Sequence, residues 1–233
     1  MISSLRKINT AIQHLLYPHF CCGCGVDFIG SKEFLCAKCN SLLPLTLFSH
    51  IPFNPIEKIL IGRLPLVAAG SMYYFTKSSL LQHLLVQLKY NNNKEVGYFF
   101  GRQLGQLLKD SNRFNSIDCI VSLPLHPKKE YQRGYNQAEL IADGMSSVWQ
   151  KKVLKKGISR LIFTKTQTQE SRISRWENME GVFEVRDPDS IRDKHVLLID
   201  DVITTGASLE ACGAAILAVP GTRLSIATVA YTI

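Results

Sequence analysis

The chain has 233 residues, 46% of them hydrophobic, and carries 27 Lys and Arg against 19 Asp and Glu for a formal charge of +8. That length supports one substantial domain plus a small module, and that composition can bury a core, which excludes disordered and fibrous classes. The moderate positive surplus fits an anionic partner, nucleic acid or phosphorylated small molecule, without choosing between them.

The chain opens with "MISSLRKINTAIQHLLYP", where Arg6, Lys7, Asn9, Gln13 and His14 break the continuous apolar core that a targeting signal needs. Ile8, Ile12, Leu15 and Leu16 instead fall on one face of an amphipathic helix, expected to pack on the protein. No apolar run reaches about 20 residues, so no bilayer is spanned and no membrane partner is expected. The cytoplasm is the expected location.

Five of the seven cysteines crowd into Cys21 to Cys39, and an odd total suits a reducing compartment better than a disulfide framework. Cys21-x2-Cys24 and Cys36-x2-Cys39 form two knuckles separated by eleven residues. Each knuckle aims two thiolates at one point, and together they match a closed, structural four-cysteine zinc site, with Cys22 as the spare. Two disulfides or redox thiols are the alternatives. A module of about 50 residues stabilises poorly by core burial alone, whereas structural zinc contributes roughly 10–16 kcal/mol of apparent binding free energy. "GVDFIGSK" at 25–32 nearly spells a P-loop, but Ser31 separates the second glycine from Lys32 and removes that reading.

"PLTLFSHIPFNP" spaces prolines like a connector, which puts a boundary near residue 50: a helix and zinc module over 1–50, and a larger α/β domain over 51–233. "PLVAAGSMYYF" at 65–75 has strand composition, "SSLLQHLLVQLKY" at 78–90 reads as a helix capped near Ser78 or Ser79, and a second helix covers 94–110. From Ser116 the pattern becomes strand, Pro-rich loop and helix, with Asn136 and Glu139 spaced as a capping box. "HVLLID" with the helix after it repeats that unit, and "RLSIATVAYTI" supplies a last strand. Buried strands alternating with helices predict a parallel sheet in an α/β fold. Lys151, Lys152, Lys155, Lys156, Arg160, Lys165, Arg172 and Arg175, with Glu170 the lone acid of that stretch, predict a solvated, electropositive segment. Cys119 and Cys212 fall in a predicted strand and helix as buried hydrophobes.

The sharpest feature is "VLLIDDVITTGAS", Val196 to Ser208. Four apolar residues pin a strand, so Asp200 and Asp201 fall at its carboxyl end, where open α/β sheets bind ligands. Two negative charges about 7 Å apart repel by roughly 2 kcal/mol at an effective dielectric of 20, so the pair calls for hydroxyls, donors or a cation. "TTGAS" then offers small residues, a glycine permitting close backbone approach, hydroxyl donors and a helix N-terminus, which together suit a phosphate. Carboxylates for a diol beside a phosphate nest describe a ribose 5-phosphate pocket. A receiver domain would need a phosphoacceptor on a later strand, and a Walker B strand would need a P-loop.

"VLLIDDVITTGAS" resembles the phosphoribosyl pyrophosphate signature of type I phosphoribosyltransferases. With the paired cysteines, "LKY" at 88–90, "LPLHPKKEYQRGYNQAELIA" at 123–142 and "TQTQESRISRWENMEGVF" at 166–183, nearly the whole chain resembles the ComF family of ComFC and GntX-like competence proteins. The resemblance implies a type I phosphoribosyltransferase-like parallel sheet flanked by helices, with the small four-cysteine zinc module (Cys21, Cys24, Cys36, Cys39) at its N-terminus. It implies that Asp200 and Asp201 hold the ribose hydroxyls directly or through Mg2+, and that Thr204, Thr205, Gly206, Ala207 and Ser208 cradle the 5-phosphate. Leu123 to His126 would take pyrophosphate, with Arg133, Asn136 and Gln137 in the "RGYNQ" element. Lys165, Gln169, Arg172 and Arg175 would belong to the loop that covers phosphoribosyl pyrophosphate. The implied activity is phosphoribosyl transfer to an acceptor that no stretch identifies. The alternative is a non-catalytic factor for imported single-stranded DNA, working with a DNA-uptake helicase, for which Tyr131, Tyr135 and Trp176 are candidate stacking aromatics.

Overall fold

The computed structural model describes residues 20–27, 33–161 and 181–232. The N-terminal helix expected over 1–18 therefore lies outside the described residues, as do Lys165, Gln169, Arg172, Arg175 and Trp176. The elements in chain order are α1 (Ala37–Ser41), α2 (Pro55–Leu60), β1 (Leu66–Phe75), α3 (Leu80–Tyr90), α4 (Lys94–Lys109), β2 (Cys119–Ser122), α5 (Pro127–Arg133), α6 (Gln137–Trp149), β3 (Lys152–Val153), β4 (Ile158–Arg160), β5 (Phe183–Val185), β6 (His195–Ile203), α7 (Ala207–Leu217) and β7 (Arg223–Thr232).

Five strands form one parallel sheet in the order β1-β7-β6-β2-β3, and β4 pairs with β5 in a separate antiparallel ribbon. The α/β parallel sheet expected from the sequence is present. Successive residues of β6 feed opposite faces: Leu197 and Ile199 join the core under α3, α4 and α6, while Val196 and Leu198 join the core under α2 and α7. Burial on both faces is why these strands read as apolar runs and not as alternating ones.

Helix starts follow the local chemistry. The Ser79 side chain accepts from Gln82 N–H at 3.2 Å and caps α3, as the sequence predicts. Asn136 Oδ1 accepts from Ala138 N–H at 3.0 Å and caps α6, and Asn136 Nδ2 donates to the Leu123 carbonyl at 3.0 Å, tying that cap to the loop after β2. The reciprocal half of the expected capping box is not among the described hydrogen bonds, and Glu139 lines a cavity instead.

One packing device escaped the sequence reading. Gly97, Gly101 and Gly105 recur every fourth residue, so they share one face of α4, and that face meets α6 at Gly144. A Cβ on Gly101 would collide with the Ile141 carbonyl oxygen and lie 2.8 Å from Gly144 Cα, so side-chain-free positions set how closely the two helices approach.

The cysteine segment packs against the larger domain. Cys21, Leu35, Cys39 and Leu43 share a core cluster with α3, α4 and the sheet, and residues 44–46 run along β1 through Tyr74 N–H to the Pro44 carbonyl at 2.9 Å and Thr46 N–H to the Met72 carbonyl at 3.0 Å. Among the described residues no helix is long and apolar enough to cross a membrane.

Candidate active site

The sheet order places β6 beside β7 on one side and β2 on the other, with α7 and α6 leaving towards opposite faces. That is a topological switch point, where α/β sheets open a crevice beyond the strand ends. Asp200 and Asp201 sit near the carboxyl end of β6, as the sequence predicts, and the strand runs on to Ile203. On the β7 side its pairing continues through Asp200 to Ile203, whereas on the β2 side it stops at Ile199 opposite Ser122. Asp200 and Asp201 therefore project past the end of β2 while their backbone stays anchored to β7.

Asp201 is buried and Asp200 half-buried. Asp201 Oδ2 pairs with Lys89 Nζ at 2.6 Å, and Asp201 N–H donates to Asp200 Oδ1 at 2.8 Å. Burial first, and the Asp201 charge second, push the Asp200 carboxyl up to about 8, against the pull of the Asp201 N–H and the Lys89 ammonium. One lysine does not neutralise two carboxylates. The donor set fits a divalent cation or the hydroxyls of a diol, both of which would favour the charged form.

Beyond β6, Thr204 and Thr205 are exposed, Gly206 is buried, and Ala207 and Ser208 are half-buried at the start of α7. Gly206 is the N-cap with φ +76° and offers no side chain to the helix, so the first-turn N–H groups have no side-chain cap there. Its left-handed backbone and the 3.1 Å that a Cβ would leave to Leu60 Cδ2 make glycine the fitting residue. Arg63, which the sequence reading passed over, braces this loop: Nη1 donates to the Thr205 carbonyl at 3.2 Å and the Ile59 carbonyl at 3.1 Å, and Nη2 pairs with the buried Glu210 of α7.

Cations converge from other elements. Arg133, half-buried at the end of α5, lies over the Tyr90 ring at 5.7 Å and acts electrostatically on Lys89. Burial, then the Arg160 and Arg133 guanidinium groups, hold Lys129 below the usual lysine range. Arg160 of β4 sits over the Phe183 ring at 5.4 Å and feels the Asp200 charge, so this member of the basic segment is half-buried at the site and not solvated as expected. His126 caps α5 by accepting from Lys128 N–H at 3.2 Å. Tyr135 is removed from the candidate stacking aromatics, because it is buried and its hydroxyl donates to the Leu88 carbonyl, whereas Tyr131 is 91% exposed.

Of the positions the sequence singled out, Asp200, Asp201 and Thr204 to Ser208 lie together from the end of β6 to the start of α7, and Arg133 acts electrostatically on the same Lys89 that pairs with Asp201. Lys89, Arg63 and Arg160 are additions. The only sequence sign of Lys89 was its place in "LKY", since a lysine in a helix's last turn is ordinary.

The second cluster is the cysteines. The sulfurs of Cys21, Cys24, Cys36 and Cys39 all lie within 4.8 Å of one another, close enough to hold a metal such as zinc. Cys24 and Cys36 sulfurs are 3.8 Å apart, too far for a disulfide. Burial opposes a thiolate at Cys21, yet the N–H groups of Cys36, Cys24 and Gly23 outweigh it and bring the thiol down to about 6, while burial and the neighbouring sulfurs push Cys39 up. A cation among the four would offset that cost. The spare, Cys22, gains a role: it donates to Gln87 Oε1 at 3.3 Å and accepts from Asn93 Nδ2 at 3.4 Å, pinning the knuckle to the α3–α4 corner.

Comparison with known proteins agrees with this geometry. A family model described as the phosphoribosyl transferase domain matches residues 144–232, which span β6, the Thr204–Ser208 loop and β7. The chain is 28% identical over 182 residues to a DNA utilization protein YhgH of Escherichia coli O157:H7, covering 77% of this chain and 76% of that one. It is 30% identical over 143 residues to the protein of the same name in Salmonella typhi, covering 58% and 59%. It is 29% identical over 133 residues to competence protein F of Haemophilus influenzae, covering 55% and 58%. The chain thus spans just under three fifths of the length of the last two relatives. Together with the parallel sheet and the four-cysteine cluster, these matches support the resemblance of the chain to the ComF family and a phosphoribosyltransferase-like domain of the type I fold.

Proposed function

We propose that the protein binds phosphoribosyl pyrophosphate with Mg2+ and transfers its phosphoribosyl group to an acceptor, and that the four cysteines hold a structural zinc ion. The observation that carries this reading is the pair Asp200 and Asp201, short of positive charge, set between an uncapped helix N-terminus and a rim of cations. In this reading the carboxylates take the ribose hydroxyls, and Thr204, Thr205, Gly206, Ala207 and Ser208 take the 5-phosphate. Leu123 to His126, Lys129 and Arg133 face the pyrophosphate. Mg2+, when bound, offsets the negative charge of the leaving group. The chain's own task is to hold C1 of the ribose open to attack while fixed cations meet the charge that develops on pyrophosphate.

Calorimetric titration with Mg2+ and phosphoribosyl pyrophosphate tests the reading. The wild-type chain is expected to bind, and Asp200→Asn/Asp201→Asn to bind at least about 150-fold more weakly, as two lost charge-assisted contacts at about 1.5–3 kcal/mol each imply. Equal binding by the double variant would remove the pocket assignment.

A second reading, contact with single-stranded DNA, is favoured by Tyr90 and Tyr131, 73% and 91% exposed, beside Lys128, Lys129 and Arg133. Exposed rings among cations suit stacking on a single strand. The relatives' names, DNA utilization protein and competence protein, point the same way. DNA affinity that falls steeply with salt and survives the aspartate change would mark a surface separate from the ribose site.

A further inference from the structure

The helix that follows the Thr204–Ser208 loop carries an acid in its first turn. Glu210 N–H closes that turn on the Gly206 carbonyl at 2.8 Å, and the Glu210 side chain is buried. A carboxylate suits the positive end of a helix while no other anion claims it. A phosphate on the free N–H groups of the same turn adds a second anion, and the two charges oppose each other.

Arg63, in the turn between α2 and β1, answers that conflict from outside the motif. Its Nη2 pairs with Glu210, so the guanidinium cancels the acid. Its Nη1 holds the Thr205 carbonyl at 3.2 Å. In a planar trans peptide the carbonyl and the next N–H point in opposite directions, so this bond turns the Gly206 N–H away from Arg63. Gly206 is buried, and its N–H has no hydrogen-bond partner among the described residues. Buried backbone N–H groups are nearly always paired, and an anionic oxygen is a partner that fits this one. The loop does not depend on Arg63 for its floor, since Leu60 and Ile59 of α2 come within 3.1 and 3.3 Å of where a Gly206 Cβ would lie.

We infer that Arg63 is the positioning residue of the 5-phosphate site: it neutralises Glu210 and sets the Thr205–Gly206 peptide so that the Gly206 N–H meets a phosphate oxygen. This rests on the ribose 5-phosphate reading proposed above.

The experiment uses the full chain and calorimetry below each variant's unfolding temperature, with three ligands measured separately: phosphoribosyl pyrophosphate with Mg2+, ribose 5-phosphate, and pyrophosphate with Mg2+. Arg63→Met should bind the first two about 10- to 100-fold more weakly, the worth of one charge-assisted contact, and pyrophosphate within about twofold of wild type. Arg63→Met/Glu210→Gln should regain about fivefold or more for ribose 5-phosphate, because the opposing carboxylate is gone. Arg63→Lys, which keeps a charge for Glu210 without the guanidinium fork, serves if Arg63→Met does not fold, and should lose about three- to tenfold for ribose 5-phosphate. Wild-type affinity for ribose 5-phosphate in the Arg63 variants overturns the inference. So does an equal loss for pyrophosphate, which marks general distortion, and so does a double variant as weak as Arg63→Met. Each of those leaves the ribose-site reading standing. Failure of the wild-type chain to bind both phosphoribosyl pyrophosphate and ribose 5-phosphate removes that reading and this inference with it.

Discussion

Asp200 and Asp201 are adjacent in sequence but unequal in the fold, because Lys89 reaches Asp201 at 2.6 Å and Asp200 is left with a backbone N–H. A carboxyl pushed up to about 8 stays largely protonated near pH 7, because burial and the Asp201 charge make its ionisation unfavourable in the folded chain until a ligand arrives. Asp200→Asn removes that cost. In the absence of ligand it should stabilise the protein by about 1–2 kcal/mol, which in a chain of this size raises Tm by about 2–8 °C. Differential scanning calorimetry checks this, and a lower Tm would show that Asp200 has compensating partners in the apo state. Higher stability alongside lost binding is the pattern expected of a residue kept for function. Asp200 and Asp201 were legible from the sequence because their neighbours are apolar on one side and small and hydroxylic on the other. Lys89 was not, because nothing local distinguishes it from a surface lysine.

At the scale of elements, the α4–α6 contact holds the start of α6, and with it Asn136 and Glu139, against the loop after β2. Gly101 decides how closely those helices approach, since a methyl there meets the Ile141 carbonyl and the Gly144 backbone and not a yielding side chain. Gly101→Ala should therefore cost about 2–3 kcal/mol, despite the roughly 1 kcal/mol by which alanine is the better helix former. Urea unfolding measures the sign directly, and stabilisation would mean that the helices separate at little cost. The Asn136 cap was readable from local spacing, whereas the other half of the capping box was not realised. The pattern of Asn136 followed by Glu139 is compatible with a cap, but the carboxylate's environment is set by the loop and β4 packed around it.

At the scale of the whole molecule, the cysteine segment and the α/β sheet share a core through Cys21, Leu35, Cys39 and Leu43, and Cys22 locks onto Gln87 of the helix that also carries Lys89. Metal analysis should find one zinc per chain. Chelation should lower Tm in a single cooperative transition, because the segment whose cysteines would hold the zinc shares a core cluster with the sheet. Two resolved transitions would show an independent module. The sequence by itself determined the parallel α/β class, the boundaries of its main helices, the four-cysteine cluster and the aspartate-to-serine half of the site. Each of those depends on periodicity, caps or spacing within a few tens of residues. Only the tertiary structure decided that Lys89, Arg63, Arg160 and Glu139 face the crevice or its neighbouring cavity. They are 112, 137, 40 and 61 residues from Asp200 or Asp201 along the chain. What brings them together is the strand order, which sets β6 between β7 and β2 and leaves the two carboxylates projecting where the sheet changes direction.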